Sequence, residues 1–120
     1  MGLQISLRKS GDVTIVDVQG QITSGPTGES FRAELRRLAE TTPGDVLINL
    51  AKVTEIDSSG IGALVQSFVM LTRGGGSLKL LNPVGKVLEV LEVTRLSTAL
   101  AIYGDEASAL ASFRGTALDA

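Results

Sequence analysis

The chain has 120 residues, 43% of them hydrophobic, and its 13 acidic and 11 basic residues give a net charge of −2. This length predicts a single domain over residues 1–120, and the small acidic excess argues against a nucleic-acid partner, whose binding surface needs clustered Lys and Arg. Because the chain has no cysteine and no histidine, disulfides, thiolate or imidazole metal sites and a Ser-His-acid triad are excluded. We therefore expect no metal and no cofactor.

The first two predicted elements form a hairpin. Apolar and polar residues alternate over residues 3–8, and β-branched residues are frequent over residues 13–19, so both segments predict strands. Ser10-Gly11-Asp12 between them is typical of a tight turn, which makes the two strands antiparallel. We expect the second strand to end at Gly20.

A polar loop and a helix are predicted next. The loop covers residues 21–28, and residues 42–44, Thr-Pro-Gly, should end the helix. The helix is indicated by apolar residues that recur at helical spacing, namely Phe31, Leu35, Leu38 and Ala39. Its charged residues predict a solvated face on which Arg32, Arg36 and Arg37 are accompanied by Glu29, Glu34 and Glu40.

The middle of the chain predicts a buried strand and a long helix. Residues 46–50 are almost continuously apolar, as in a parallel strand covered on both faces, and residues 51–56 are expected to be a connector. Asp-Ser-Ser-Gly at 57–60 precedes a helix of about fifteen residues, which the glycines at 74–76 should close. The apolar face of this helix is predicted to contain Ile61, Leu64, Val65, Phe68 and Leu71.

Two shorter strand–helix units complete the chain. Residues 78–81 predict a strand, and Asn82 followed by Pro83 predicts the cap and the first residue of a helix. Residues 100–103 predict a last strand, after which Asp105 should cap a C-terminal helix. The inward residues are expected to be Val84, Val87, Leu88 and Leu91 in the first helix and Leu110 and Phe113 in the second.

The order of elements, ββαβαβαβα, predicts an α/β fold. After the hairpin, strands alternate with helices, which implies parallel strands joined by right-handed crossovers. We expect a mixed sheet of about five strands, with an antiparallel N-terminal hairpin, parallel β-α units and helices packed against it. The predicted core includes Leu47, Ile48, Leu64, Phe68 and Leu80.

Two serines, Ser58 and Ser59, lie between the buried strand and the long helix. The first turn of a helix has unpaired N–H groups and a partial positive charge. A hydroxyl there can cap the helix, or it can hold a phosphate, because both features favour an anion. Nucleophilic catalysis is not expected, since the chain has no histidine to act as the base.

Around these serines, the sequence resembles a known family. Residues 53–62 read Val-Thr-Glu-Ile-Asp-Ser-Ser-Gly-Ile-Gly, which closely resembles the signature of STAS domains, named for sulphate transporters and anti-sigma factor antagonists. The resemblance extends over nearly the whole chain, from the leading hairpin to the late helix. Its stand-alone length is similar to that of the bacterial anti-sigma factor antagonists, so the resemblance implies a STAS fold and a regulatory role.

This resemblance implies a phosphorylation switch. The residue that is phosphorylated in the family corresponds to Ser58. The implied partners are a serine kinase, bound to ATP or ADP, that doubles as an anti-sigma factor, and a serine phosphatase that acts on the phosphorylated form. Sequestering the kinase would release a sigma factor. The implied partner-binding residues are Thr23, Asp57, Ser58, Ser59, Gly60 and Ile61.

One position departs from the family pattern. After the second strand the antagonists usually carry Gly-x-apolar-Asp, whereas this chain has Gly20-Gln21-Ile22-Thr23. The acid is therefore replaced by Thr23, which bears on the identity of the partner more than on the fold.

We therefore expect a cytoplasmic binding module that is not an enzyme and does not insert into a membrane. Its most apolar stretch, residues 60–71, is well short of the ~20 residues that a membrane-spanning helix needs. Two other interpretations stay open. One is a phosphoacceptor scaffold of a stress-signalling complex, and the other is a non-phosphorylated accessory subunit of a membrane transporter for lipids or solutes.

Overall fold

A computed structural model describes residues 2–41 and 44–118 of the chain. The elements are β1 (Gln4–Ser10), β2 (Val13–Ile22), α1 (Pro26–Thr41), β3 (Asp45–Ile56), α2 (Ser58–Arg73), β4 (Ser77–Leu81), α3 (Gly85–Val93), β5 (Ile102–Tyr103) and α4 (Glu106–Leu118). A short 3₁₀ helix at Leu96–Thr98 precedes β5. This order confirms the predicted succession of strands and helices.

The strands of the described chain form a five-stranded mixed sheet in the order β1-β2-β3-β4-β5. β1 and β2 are antiparallel, with Ser10 paired to Val13 across the predicted turn, and the other neighbouring strands are parallel. Gly11 in the turn has a φ of +59°, a left-handed conformation that glycine adopts without steric cost. The predicted α/β fold with an antiparallel N-terminal hairpin is confirmed.

Helices cover both faces of this sheet. Successive side chains of β3 point to opposite faces, so Ile48 lies in a larger core under α1, α2 and α3, and Leu47 lies in a smaller core under α4. Asp105 caps α4 as predicted, with its Oδ2 accepting the Ser108 N–H at 2.9 Å. The predicted core residues that are buried are Leu47, Ile48, Leu64 and Leu80.

The second and third strands are longer than predicted. β2 continues through Gly20 to Ile22, and residues 51–56, expected to be a connector, form the second half of β3. These segments pair in parallel as far as Ile22 and Ile56. Register shifts close to Gly20 let β2 continue although apolar and polar residues no longer alternate there. Because β4 pairs with β3 only as far as Asn49, the ends of β2 and β3 extend beyond the rest of the sheet.

The starts of two helices also differ from the prediction. α1 begins at Pro26, inside the predicted loop, because proline is well suited to a first helical position. α3 begins only at Gly85, since Asn82 takes a left-handed φ of 59° and Val84 becomes an N-cap without a side-chain hydrogen bond. Val84 is consequently 49% exposed instead of facing inward. The predicted stop at residues 42–43 lies outside the described residues.

The buried face of α2 is rotated from the predicted one. Leu64 is buried as expected, but Val65 is 40% exposed and Phe68 is only half-buried. The reason is that small residues share the buried face with two leucines, which leaves large apolar side chains outside. No helix in the described part of the chain, α2 included, is both long and apolar enough to cross a membrane. The buried face of α2 consists of Gly60, Ala63, Leu64, Ser67 and Leu71.

Candidate functional site

The ends of two neighbouring strands bring the candidate residues together. Ile22 and Ile56 are paired at the last rung of β2 and β3, and the N–H of Asp57 donates to the carbonyl oxygen of Ile22 at 3.1 Å. The segments that follow these strands therefore begin side by side. Residues 23–25 lead into α1, and Asp57 leads directly into α2. The structure thus places the Thr23 loop next to the serine pair, as expected for neighbouring parallel strands.

Asp57 connects the two segments and caps α2. Its backbone is extended, and its Oδ1 accepts the Ser59 N–H at 2.9 Å, which satisfies one of the free donors of the first helical turn. Its Oδ2 accepts the Ser24 N–H at 2.8 Å. The cap of α2 is therefore a carboxylate, and the interpretation of a serine hydroxyl as the cap is wrong. The same carboxylate holds the Thr23 loop in place.

The two serines differ in their surroundings. Ser58 is the first residue of α2 and is exposed. Ser59 is half-buried and faces α1, where a Cβ placed on Gly28 would lie 3.3 Å from the Ser59 Cβ. Since Asp57 provides the cap, the Ser58 hydroxyl is not needed to start the helix. It is the more accessible of the two serines to a second protein.

Two glycines allow the helices to start this close to the strands. A Cβ on Gly28 would overlap the carbonyl oxygen of Thr23, so the start of α1 depends on the absence of a side chain there. Gly60 is buried on α2 against the ends of both strands. Thr23 is half-buried beside them, and its Oγ1 lies 3.4 Å from that of Thr27.

We expect Gly60→Ala to destabilise the fold by about 1–3 kcal/mol, the usual effect of overpacking a filled core. The added Cβ would lie 2.5 Å from Cγ1 of Ile56 and 2.7 Å from Cγ2 of Ile22, so the helix start would have to move. Gly104→Ala is the matched control, because a Cβ there meets nothing within 4 Å. Urea denaturation measures both variants. Equal stability of Gly60→Ala and wild type would show that α2 does not depend on this close approach.

Along the outer surface of α2, Val65 and Val69 extend the predicted site residue Ile61 with two apolar residues that the sequence did not assign to the site. Ile61 is half-buried, and Val65 and Val69 are 40% and 39% exposed, at intervals of four residues along one side of the helix. The sequence signal for this surface is the near-continuous apolar character of residues 60–71, and helical periodicity predicts burial for Ile61 and Val65. The exposed Ser58 thus lies at the end of a partly apolar helix surface.

Known proteins resemble this chain in sequence. The STAS domain family model matches residues 4–109. The chain is 31% identical over 104 residues to the anti-sigma-B factor antagonist of Bacillus subtilis (strain 168), a match that covers 85% of this chain and 92% of that protein.

Solved structures share the fold. An anti-sigma factor antagonist from Mycobacterium paratuberculosis superimposes with a TM-score of 0.85 at 18% identity, over 94% of this chain and 95% of that one. The unphosphorylated form of the anti-sigma factor antagonist SpoIIAA gives 0.79 at 21% identity, over 93% and 97%. The phosphorylated form of SpoIIAA, a Bacillus cell fate determinant, gives 0.70 at 19% identity, over 91% and 98%. With a family match over most of its length and these shared folds, the chain belongs to the STAS domain family.

Proposed function

We propose that this protein is an anti-sigma factor antagonist that binds an anti-sigma factor serine kinase and is switched off by phosphorylation of Ser58. In the unphosphorylated form it sequesters the kinase, so that a sigma factor is released. The observation that carries the proposal is the exposed Ser58 at the start of α2, placed beside the Thr23 loop by the two hydrogen bonds of Asp57.

The relatives support this role. The Bacillus subtilis protein, at 31% identity, is by name an antagonist of the anti-sigma-B factor. SpoIIAA is named an anti-sigma factor antagonist and has an unphosphorylated and a phosphorylated form, and both forms have the fold of this chain. The same fold can therefore accommodate a phosphorylated state.

The phosphoryl transfer needs no catalytic group from this chain. Oγ of Ser58 forms a bond to the γ-phosphorus of the kinase's ATP, the bond to the ADP oxygen breaks, and the hydroxyl proton passes to a base of the kinase. The chain is the substrate in this step and not an enzyme. An exposed hydroxyl at a helix start meets the need for access, and a serine phosphatase reverses the change by hydrolysis.

Phosphorylation would change the surface more than the fold. A phosphoryl group adds about −1.5 to −2 charges at neutral pH, next to Asp57 and Glu55. Since Asp57 caps α2 and the Ser58 side chain is exposed, the helix can remain formed. At a close-packed interface the added charge must lose its water and is repelled by any acid of the partner. The result is loss of binding without unfolding.

The contact surface we assign combines direct and supporting residues. Ser58 supplies an exposed side chain on α2, and Thr23, Ser59 and Ile61 lie half-buried beside it. Asp57 orients the loop and the helix start through its two accepted hydrogen bonds. Gly60 is buried, so it acts by letting α2 pack closely and does not itself contact a partner. The six residues are Thr23, Asp57, Ser58, Ser59, Gly60 and Ile61.

The proposal is tested by capturing the protein with its partners from native lysate, followed by mass spectrometry of the partners and of Ser58. We expect an anti-sigma factor kinase among the partners and phosphate on Ser58. Recovery of transporter components with Ser58 never modified would contradict the proposal and favour an accessory role in transport.

Thr23→Asp should strengthen binding to the kinase by about fivefold, corresponding to ~1 kcal/mol for a contact at a solvated rim. The reason is that the acid usual in the family would engage a basic patch of the partner. Thr72→Asp, which adds the same charge at an exposed position near the far end of α2, is the control. Titration calorimetry with the purified kinase measures both affinities. An unchanged affinity for Thr23→Asp would remove this loop from the interface.

A further inference from the structure

An arginine of α1, Arg32, lies against α2 at Gly62, four residues after Ser58. α1 and α2 start side by side, with Gly28 against Ser59. Further along, Nη2 of Arg32 lies 3.8 Å from the position that a Cβ of Gly62 would occupy. Because Gly62 has no side chain, the guanidinium can approach the surface of α2 directly.

Gly62 and Ser58 lie on the same side of α2. They are four residues apart, and Cβ positions at this spacing are about 5–6 Å from each other. Side chains of a helix also lean toward its N-terminus, so a group that lies against Gly62 is next to the turn that contains Ser58. A phosphoryl group on Ser58 and the flexible side chain of Arg32 would therefore be within reach of each other.

The surrounding charges favour Arg32 as the cation that could pair with a phosphoryl group on Ser58. α2 has no charged residue before Arg73 at its far end, and the Thr23 loop has none. The ionisable side chains nearest in sequence to the starts of α1 and α2 are acids: Asp57 at the cap, Glu55 on β3 and Glu29 on α1. Arg32 itself takes part in none of the ion pairs among the described residues.

We propose that Arg32 forms an intramolecular ion pair with phosphorylated Ser58. A guanidinium binds a phosphate through two parallel N–H donors, which suits a flexible side chain on the neighbouring helix. Phosphorylation then changes the surface in two ways, because a negative charge appears and the positive charge of Arg32 is withdrawn into the pair. This inference rests on the proposed phosphorylation of Ser58, and it adds the residue that binds the phosphoryl group.

The test is a ³¹P NMR titration of the full chain with phosphoserine installed at position 58 by genetic-code expansion, so that no kinase is needed. The second pKa of phosphoserine is ordinarily about 6. We expect Arg32→Gln to raise this pKa by about half a unit relative to the protein with Arg32, the size of an exposed ion pair. The shift should shrink in about 1 M salt.

Arg36→Gln is the matched control, because Arg36 is exposed on the same helix one turn farther from the start of α2. We expect its pKa curve to follow that of the parent phosphoprotein, and circular dichroism to show equal helix content in all variants. Identical titrations for Arg32→Gln and Arg36→Gln would overturn the proposal. This outcome would leave the role of Ser58 as the kinase substrate unaffected, since that role is measured separately by mass spectrometry.

Discussion

Ser58→Asp should weaken binding to the anti-sigma factor kinase by about 30-fold or more, whereas Ser58→Ala should bind as tightly as the unphosphorylated protein. The estimate follows from the 2–5 kcal/mol that an uncompensated charge costs at a buried interface, with about 1.4 kcal/mol per tenfold change. A single carboxylate carries less charge than a phosphate, so the phosphorylated protein should bind more weakly still.

Ser108→Asp is the matched control for this substitution. Ser108 is an exposed serine in the first turn of α4, follows an Asp cap as Ser58 does, and lies on the opposite face of the sheet. Titration calorimetry with the kinase measures affinity, and circular dichroism reports the fold. Equal affinity of Ser58→Asp and wild type, or phosphate found on Ser59 alone, would contradict the assignment. Loss of helix signal in Ser58→Asp would show that the serine is structural.

Phe31→Ala should lower the free energy of unfolding by about 3–5 kcal/mol. Phe31 is 0% exposed in the larger core, so its removal loses apolar burial and leaves a cavity. Phe68→Ala provides the contrast, because Phe68 is half-buried and part of its ring already meets water. We expect a loss of about 1–2 kcal/mol there.

Urea denaturation followed by circular dichroism measures both phenylalanine variants. The informative result is which variant loses more free energy of unfolding, since both substitutions delete the same atoms but at positions that differ in burial. A loss for Phe68→Ala equal to that for Phe31→Ala would mean that α2 presents a different face to the sheet.

The hairpin and the parallel units could be predicted from the sequence because their signals are local. The tight turn at Gly11 and the unbroken apolar run at residues 46–50 each favour one structure strongly. The second half of β3 could not be predicted in this way. The exposed side chains of residues 51–56 are polar, and this segment is a strand because it pairs with the end of β2.

The failed prediction at Asn82 and Pro83 has a similar origin. The pair is a favourable helix start by local propensity, but Asn82 adopts a left-handed conformation and α3 begins later. The exposure of Val65 was also missed. Periodicity alone could not choose the buried face of α2, because the small residue Gly60 packs inward at the strand ends where a larger side chain would not fit.

The sequence predicts that the Thr23 loop and the serine pair are neighbours, but it does not predict the contacts that join them. The position of Ser58 between a buried strand and a helix is compatible with a helix cap or with a phosphate-bearing hydroxyl, and only the family resemblance favours phosphorylation. Asp57 was available as the preferred type of cap immediately before the helix, yet its second hydrogen bond, to Ser24, depends on how two strand ends meet. The same holds for Arg32 and Gly62, which are distant in sequence and adjacent only across two packed helices.

Release of a sigma factor tests the central claim most directly. A fluorescently labelled sigma factor is bound to its anti-sigma factor kinase, both from the source organism of this chain, and anisotropy is followed as the protein is added. The proposed function predicts that the unphosphorylated protein frees the sigma factor and that the protein carrying phosphoserine at position 58 does not. The proposed function would be contradicted if every sigma factor tested in this way stayed bound to its anti-sigma factor kinase in the presence of excess unphosphorylated protein.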